Sequence, residues 1–458
     1  MLLLLTTGLA AGLDQIEVGG PWGSPTATDG TAPWWNPAAM AMGQGHRYQL
    51  ELAPSFAVMT YTRSEPHPGE DVYLASGLLP QVGFVTDLGV EGLGVGGALV
   101  VPNVRGGMEQ EEPGIGRYTL RDGRIQTIYG IVGMGFRPVD AVAIGGMVAV
   151  VNSSFVAKVD RDTLPDLAGA IEAAGNTHDY TDLDLENADY SATTSFDTRD
   201  IVMTAGASLM LRPHPKLDIG VAYIHGPTVE NVGSVDLAFQ CPPQTDQVGR
   251  FAAERGGLCD TDLSGNAVVS YRLPNRVQAG IAYRPTLRWR LEGMGGWVGW
   301  SGLDAVTITI SDTAELNPDL PEETAAVLDG TKVQNRDQLD SVWGAIDAKW
   351  SRPVLGSQRV TLGGRVWYDR AAVPDTTLAS NNYDADALML TGMGAYAPHP
   401  GFELGLSWTH HVLETRSADS AYYQSVEAPN EGGYDYPHSN GTYAGVINRF
   451  GVQVRGAF

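Results

Sequence analysis

From Tyr48 to Phe458 the chain alternates apolar and polar residues with a period of two, in repeated segments of about 10 to 15 residues. Successive side chains of a β-strand point to opposite faces, so each segment commits one face to apolar surroundings and leaves the other polar. The last segment reads most clearly. Phe458, Val454, Val452, Phe450 and Val446 share one face, and Arg455, Gln453 and Arg449 the other. Val277, Ala279, Ile281 and Tyr283 likewise oppose Arg276, Gln278 and Arg284, and Phe402, Leu404, Leu406 and Trp408 oppose Glu403, Ser407 and Thr409. Fourteen segments carry the pattern: residues 46–62, 78–87, 91–104, 123–137, 140–154, 198–212, 216–226, 272–284, 287–300, 338–351, 358–370, 386–398, 401–413 and 443–458.

The connections alternate in length. Those at 88–90, 138–139, 213–215, 285–286, 353–357 and 399–400 are tight, and the ones between them are long. Short turns at one end, long loops at the other, an even strand count and an apolar outward face predict an all-β fold, a 14-stranded antiparallel transmembrane β-barrel of the outer-membrane type. A soluble sandwich or propeller also alternates. It lacks the loop-length alternation, and strands this long would expose sheet edges that closure removes. Trp289, Trp297, Trp300, Trp343, Trp350, Trp367 and Trp408 lie in the segments and are expected in interfacial girdles.

Composition agrees. The 57 glycines among 458 residues are well above the usual ~7%, and charged residues fall below the usual ~25%. No stretch reaches the ~20 apolar residues of a membrane-spanning helix, so crossing by helices is excluded. The net charge of −24 disfavours nucleic acid as a partner. Residues 1–11 read as a short secretory signal, with Leu2–Leu5 as its apolar core and a Gly8-x-Ala10 cleavage pattern.

Residues 12–45 show no strand periodicity, and prolines at 21, 25, 33 and 37 forbid a regular ladder there. This run, ending in Asn36-Pro37-Ala38, resembles the N-terminal hatch of the FadL family of outer-membrane hydrophobic-compound transporters. The resemblance continues through Leu273-Pro274-Asn275-Arg276-Val277, Trp300-Ser301, Tyr368-Asp369, Pro374-Asp375, Asp384-Ala385-Asp386 and Gly392-Met393-Gly394. It thus spans nearly the whole chain and implies a 14-stranded barrel, residues 46–458, plugged by residues 12–45. It also implies passive import of a fatty acid-like or aromatic hydrocarbon solute, caught by outer loops and released sideways through the barrel wall. Trp34 and Trp35 depart from it, being bulky just ahead of the Asn-Pro-Ala. Asn36 is expected to hydrogen-bond the wall, and Ala38 to pack near Pro102. In the third strand, Pro102-Asn103 followed by Gly106-Gly107 reads either as a wall defect or as a strand end where an outer loop begins.

Other motifs have plainer readings. Gly92-Leu93-Gly94-Val95-Gly96-Gly97 has dinucleotide-loop spacing but leads into alternating residues and Pro102, not a helix. Neither a nucleophile elbow nor His-Glu-x-x-His occurs. His410 and His411 point to opposite faces and form no joint metal site. Asp182, Asp184 and Glu186 are a weak calcium candidate within an acidic loop. Leu164, Leu167 and Ile171 recur at helical spacing, an apolar stripe that packs on a neighbour or lines the solute entrance. Cys241 and Cys259 are expected to pair. Phe458 and Phe450 on the last strand's apolar face form an assembly signal for the barrel-assembly machinery. The expected protein is a cofactor-free monomer among outer-membrane lipids and lipopolysaccharide. The competing readings are an aqueous porin, which the inward arginines suit, and an outer-membrane enzyme acting on lipids.

Overall fold

The computed structural model describes residues 17–64, 68–109, 114–162, 191–240, 261–318, 328–399, 401–419 and 439–458. Nineteen strands join into fourteen staves. Six are single strands: β1 Arg47–Arg63, β2 Gly69–Thr86, β3 Leu93–Glu109, β4 Asp122–Val139, β5 Val142–Asp162 and β6 Ser191–His214. The next four are each broken once. They pair β7 Leu217–Ile224 with β8 Thr228–Phe239, β9 Thr261–Arg272 with β10 Asn275–Thr286, β11 Trp289–Gly299 with β12 Ala305–Ser311, and β13 Gly330–Asn335 with β14 Ser341–Pro353. The last four are β15 Arg359–Asp369, β16 Ala387–His399, β17 Phe402–Leu413 with the short β18 Arg416–Ala418, and β19 Gly441–Ala457. Each stave pairs antiparallel with its sequence neighbour. β19 returns to β1 from Arg47↔Ala457 to Arg63↔Gly441, which closes the sheet. Reciprocal backbone bonds of 2.9 Å between His46 and Phe458 finish the seam.

Two of the four broken staves, β7 with β8 and β9 with β10, are interrupted at a proline, Pro227 and Pro274, which removes a donor. At Leu273-Pro274, Asn275 Oδ1 accepts the Gly226 N–H at 3.0 Å and the Tyr223 hydroxyl at 3.1 Å, tying the kink of one stave to that of the next. This gives the Leu-Pro-Asn-Arg motif a local structural role.

All fourteen expected segments are staves, but several run further toward the long-loop end. β2 begins at Gly69, β6 at Ser191 and β9 at Thr261, while β8 reaches Phe239 and β12 Ser311. The reason is a reversal of polarity along the staves. Near the tight turns Phe450 and Val452 face outward and Arg449 and Gln453 inward. On β8, toward the long loops, Thr228, Glu230, Ser234 and Asp236 face outward and Val229, Val235 and Leu237 inward. A membrane-crossing zone thus continues into a zone that is wet outside and apolar inside.

The reversal also corrects the tryptophan girdle. Trp289 and Trp408 are 44% and 50% exposed on the outer face, and Trp297 and Trp350 share that face. Trp300, Trp343 and Trp367 are buried inside the barrel.

Candidate functional site: plug, aromatic chamber and wall interruption

Residues 17–45 fill the lumen at the tight-turn end, where the inward residues are charged or amide-bearing. Arg365, fully buried, donates to the carbonyls of Gly20 (3.3 Å), Pro21 (2.9 Å) and Gly23 (3.1 Å) while paired with Asp347 at 2.8 Å. Arg47 donates to the Thr28 and Met40 carbonyls, Gln278 to those of Trp34 and Trp35, and Gln49 and Gln453 to that of Gly19. Arg449 bonds the Glu17 carbonyl at 2.8 Å and bridges to Glu51 at 3.0 Å, and Thr391 and Thr409 donate to the Glu17 carboxylate. Trp22 lies under the guanidinium of Arg455, 3.8 Å from its ring centroid. A plug without regular ladder bonds leaves carbonyls bare, and these side chains satisfy them. Arg47, Arg365 and Arg449 are occupied by this seating, while Arg212 and Arg284 pair with Asp218 of the wall.

Asn36 sits at the centre of the plug and caps the 3₁₀ turn Pro37–Met42. Its Oδ1 accepts the Ala38 N–H at 3.1 Å, and its Nδ2 donates to the carbonyls of Pro25 (2.9 Å) and, on β6, Leu209 (3.1 Å). The wall contact expected of Asn36 is present. Ala38 lies elsewhere than expected. Its N–H donates to Ser208 Oγ at 2.9 Å, and a β-carbon at Gly145 would fall on its backbone, so it packs against β5 and β6. Met40 and Ala41 of the plug meet β3 at Gly94, and Met40 meets it again at Gly96. Replacing Asn36 with Ala is expected to cost about 1–3 kcal/mol within the plug, since buried carbonyls lose their donor. The barrel ladder stays intact, so an unheated sample should keep its folded gel mobility while solute uptake falls.

Above the plug the lumen is lined by aromatic rings and aliphatic side chains. Trp34 meets Tyr129 edge-on at 5.5 Å, Trp35 meets Trp343 at 6.1 Å, and Trp343 stacks on Trp367 at 4.3 Å. Tyr443 stacks between Tyr61 (4.7 Å) and Tyr383 (5.9 Å). Met59, Val100, Ile131, Val151, Val235, Val269 and Ile308 join the same buried cluster. The two bulky tryptophans ahead of Asn36 therefore form its floor. A depression of about 660 Å³, lined by residues such as Ala279, Gly293, Gly295, Gly344 and Ile346, lies on the lipid-facing side of the wall, away from the aromatic cluster.

Among the described residues, the longest ladder interruption between neighbouring staves lies between β2 and β3. β2 and β3 pair at Tyr73–Leu74 with Glu109–Met108, and again from Val82 to Thr86 with Leu99 to Val95; the ladder is absent between. Opposite, β3 carries a bulge against β4. Val100 partners Tyr129 and Asn103 partners Thr127, so Val101 and Pro102 together face Ile128. Pro102 thus marks a wall irregularity within a continuing strand, not a strand end. Asn103, Gly106 and Gly107 hold regular partners on β4. Leu79, Pro80 and Gln81 of β2, Val101 of β3, Arg449, and Glu17 and Val18 of the plug surround a cavity of about 10 Å³ at this break. The plug's first described residues therefore stand behind it.

The plug leaves the lumen beside the first tight turn. Gly45 and Gly89 donate backbone N–H bonds of 2.7 and 2.9 Å to Asp87 and hold its carboxyl below the usual range. Phe458 is largely exposed beside His46, and Phe450 faces outward opposite Trp408. Leu164, Leu167, Ile171, Asp182, Asp184, Glu186, Cys241, Cys259 and residues 1–16 lie outside the described residues. Sequence reasoning placed Arg449 on the polar face of the last strand but missed its role, and it missed the roles of Arg365 and Glu17. A charge on the polar side of a membrane strand, facing a segment rich in unsatisfied carbonyls, is the signal that could have found the arginines.

A closed barrel with an apolar waist, a seated plug and an aromatic vestibule defines a transmembrane β-barrel of fourteen staves. The same fold occurs in a Pseudomonas aeruginosa FadL homologue, with TM-score 0.71 and 15% identity over 99% of this chain and 100% of that one. It occurs also in the Pseudomonas putida toluene transporter TodX, with TM-score 0.65 and 14% identity over 98% and 99%. The Ralstonia pickettii toluene transporter TbuX matches with TM-score 0.60 and 14% identity over 98% of each chain. No family model and no curated protein matches the sequence.

Proposed function

We propose that this protein is a passive outer-membrane transporter of hydrophobic small molecules, fatty acid-like or aromatic hydrocarbon. The solute is gathered by the long loops, held in the aromatic chamber and released sideways into the bilayer through the β2–β3 interruption. The observation that carries the reading is the alignment of three features: a lumen blocked by a seated plug, an apolar chamber directly above it, and a wall break beside the plug. A polysaccharide surface resists greasy molecules, and a water-filled pore offers them no favourable contact, so a dry route with a side exit solves a physical problem. Aromatic faces and alkyl side chains favour flat rings and alkyl chains alike.

The test is uptake of radiolabelled toluene and of dodecanoate by porin-deficient cells that express the protein. Saturable uptake of at least one, with no gain in sugar permeation, is expected. Sugar permeation without hydrocarbon uptake would mean an aqueous porin, the alternative that the seated plug argues against.

A further inference from the structure

The two tryptophans ahead of Asn36 do more than floor the chamber. Trp35 Nε1–H donates to the Val18 carbonyl at 2.7 Å, and both groups are buried. Val18 is one of the two plug residues at the cavity behind the wall break. The other edge of the Trp35 indole meets Trp343, which stacks on Trp367. One ring therefore touches the solute chamber on one side and holds the backbone at the exit on the other. The bond exists because residue 23 is glycine: a β-carbon there would fall on both Val18 O and Trp35 Nε1. Glu17, the neighbour of Val18, is anchored independently through Thr391, Thr409 and Arg449. Losing the Trp35 bond would therefore release Val18 without unseating the plug.

We propose that Trp35 is a positioning residue that couples occupancy of the aromatic chamber to the lateral exit, holding Val18 across the inner mouth of the β2–β3 break until a solute turns the indole. This rests on the transport reading above. A solute that wedges between Trp35 and Trp343 rotates the indole, the N–H leaves the Val18 carbonyl, and Val18 swings away from Leu79 and Val101. Coupling of this kind needs a differential contact in the two states, and the Trp35–Val18 bond supplies it.

The test places a cysteine at residue 18 (Val18→Cys) and measures its labelling by a membrane-dissolved pyrene maleimide in outer-membrane vesicles, with the background of the parent chain subtracted. Trp35→Phe keeps a ring and removes the donor, and Gly23→Ala inserts a methyl group between donor and acceptor. Each, combined with Val18→Cys, is expected to raise solute-free labelling about fivefold, as loss of one hydrogen bond implies. Ion conductance should stay at its closed level, because the Glu17 and Arg365 anchors remain; a plug that merely unfolded would conduct. Saturating toluene should accelerate labelling of Val18→Cys alone and leave the Trp35→Phe combination unchanged. Equal solute-free labelling with and without both substitutions overturns the proposal. That arm needs no transport, so a protein that carried no hydrocarbon at all would sink the transport reading while the solute-free rates still decided the role of Trp35.

Discussion

Deleting residues 17–45 is expected to turn a barrel closed to ions into a continuously conducting one, raising current through planar bilayers by on the order of tenfold or more. Barrels of this size enclose more space than side chains alone can fill, and aqueous channels appear as strand number rises toward 16–18. In the intact protein that space holds the plug, whose carbonyls occupy Arg365, Arg47, Gln278 and Arg449. Without it these side chains line a wide, charged passage open to water, and Asp347, Glu51, Glu292 and Asp218 leave the lumen mixed in sign. The ladder itself is untouched, since the seam from Arg47 to Arg63 and the His46–Phe458 bonds lie outside the deletion. The shortened protein should therefore keep its strand-dominated circular dichroism and its heat-modifiable mobility. Uptake of toluene or dodecanoate should lose saturation, because the chamber floor of Trp34 and Trp35 goes with the plug. Equal conductance before and after the deletion would mean that the plug does not seal the lumen.

The parts of this molecule that were legible in its sequence are those where one physical demand acts alone. Between the tight turns and the middle of the wall, lipid requires apolar residues outside, so Val277, Ile281, Leu404 and Phe450 announce the strands at period two. Farther along, β8 and β9 must be polar outside and apolar inside, and β12 sits on a stave broken at Trp300–Gly302. The pattern inverts without changing period, so the strands there extend beyond the residues that a membrane-facing criterion selects. Trp300, Trp343 and Trp367 show the same ambiguity, because a large amphipathic ring satisfies a girdle and a lumen chamber equally. Asn36 was read as a plug residue through the resemblance of its Asn-Pro-Ala run to a hatch, since an Asn-Pro pair alone opens many kinds of turn. Its partner at Leu209, and the placement of Ala38 on Gly145 and Ser208, depend on which staves the plug faces. Only three-dimensional closure sets that.

The same reasoning explains why period two sets the face of Arg365 but not its role. An inward arginine in a membrane strand fits a water-filled pore, an ion pair or a plug anchor. Here it serves the latter two together, and its charge is offset by Asp347 and three backbone dipoles. Period-two alternation reports the direction of a side chain but not what fills the lumen opposite it.

Removing one residue from β3 is expected to abolish hydrophobic uptake while leaving the barrel folded. On β2 and β3 the ladder stops after Leu74↔Met108 and resumes at Val82↔Leu99, with residues 75–81 facing 100–107, one residue more on β3. Against β4, the pairs Val100↔Tyr129 and Asn103↔Thr127 leave Val101 and Pro102 to share Ile128, again one residue more on β3. Deleting Val101 corrects both counts at once. The residue at 102 then partners Ile128 on one side and Pro80 on the other, and every position from Leu99 to Met108 falls into register with both neighbours. Pro102→Thr supplies the missing backbone donor, and the β-branched side chain suits a strand. The combined variant should therefore zip the β2–β3 interruption, adding ladder bonds of about 1 kcal/mol each and raising resistance to thermal unfolding. With the wall continuous, solute in the aromatic chamber has no lateral exit, and uptake of toluene and dodecanoate should fall to the level of cells lacking the protein. The plug anchors at Arg365, Arg47 and Arg449 are untouched, so ion conductance should stay closed. Uptake that persists at its original rate in a variant with a raised unfolding temperature would show that solute leaves by a route other than the β2–β3 break.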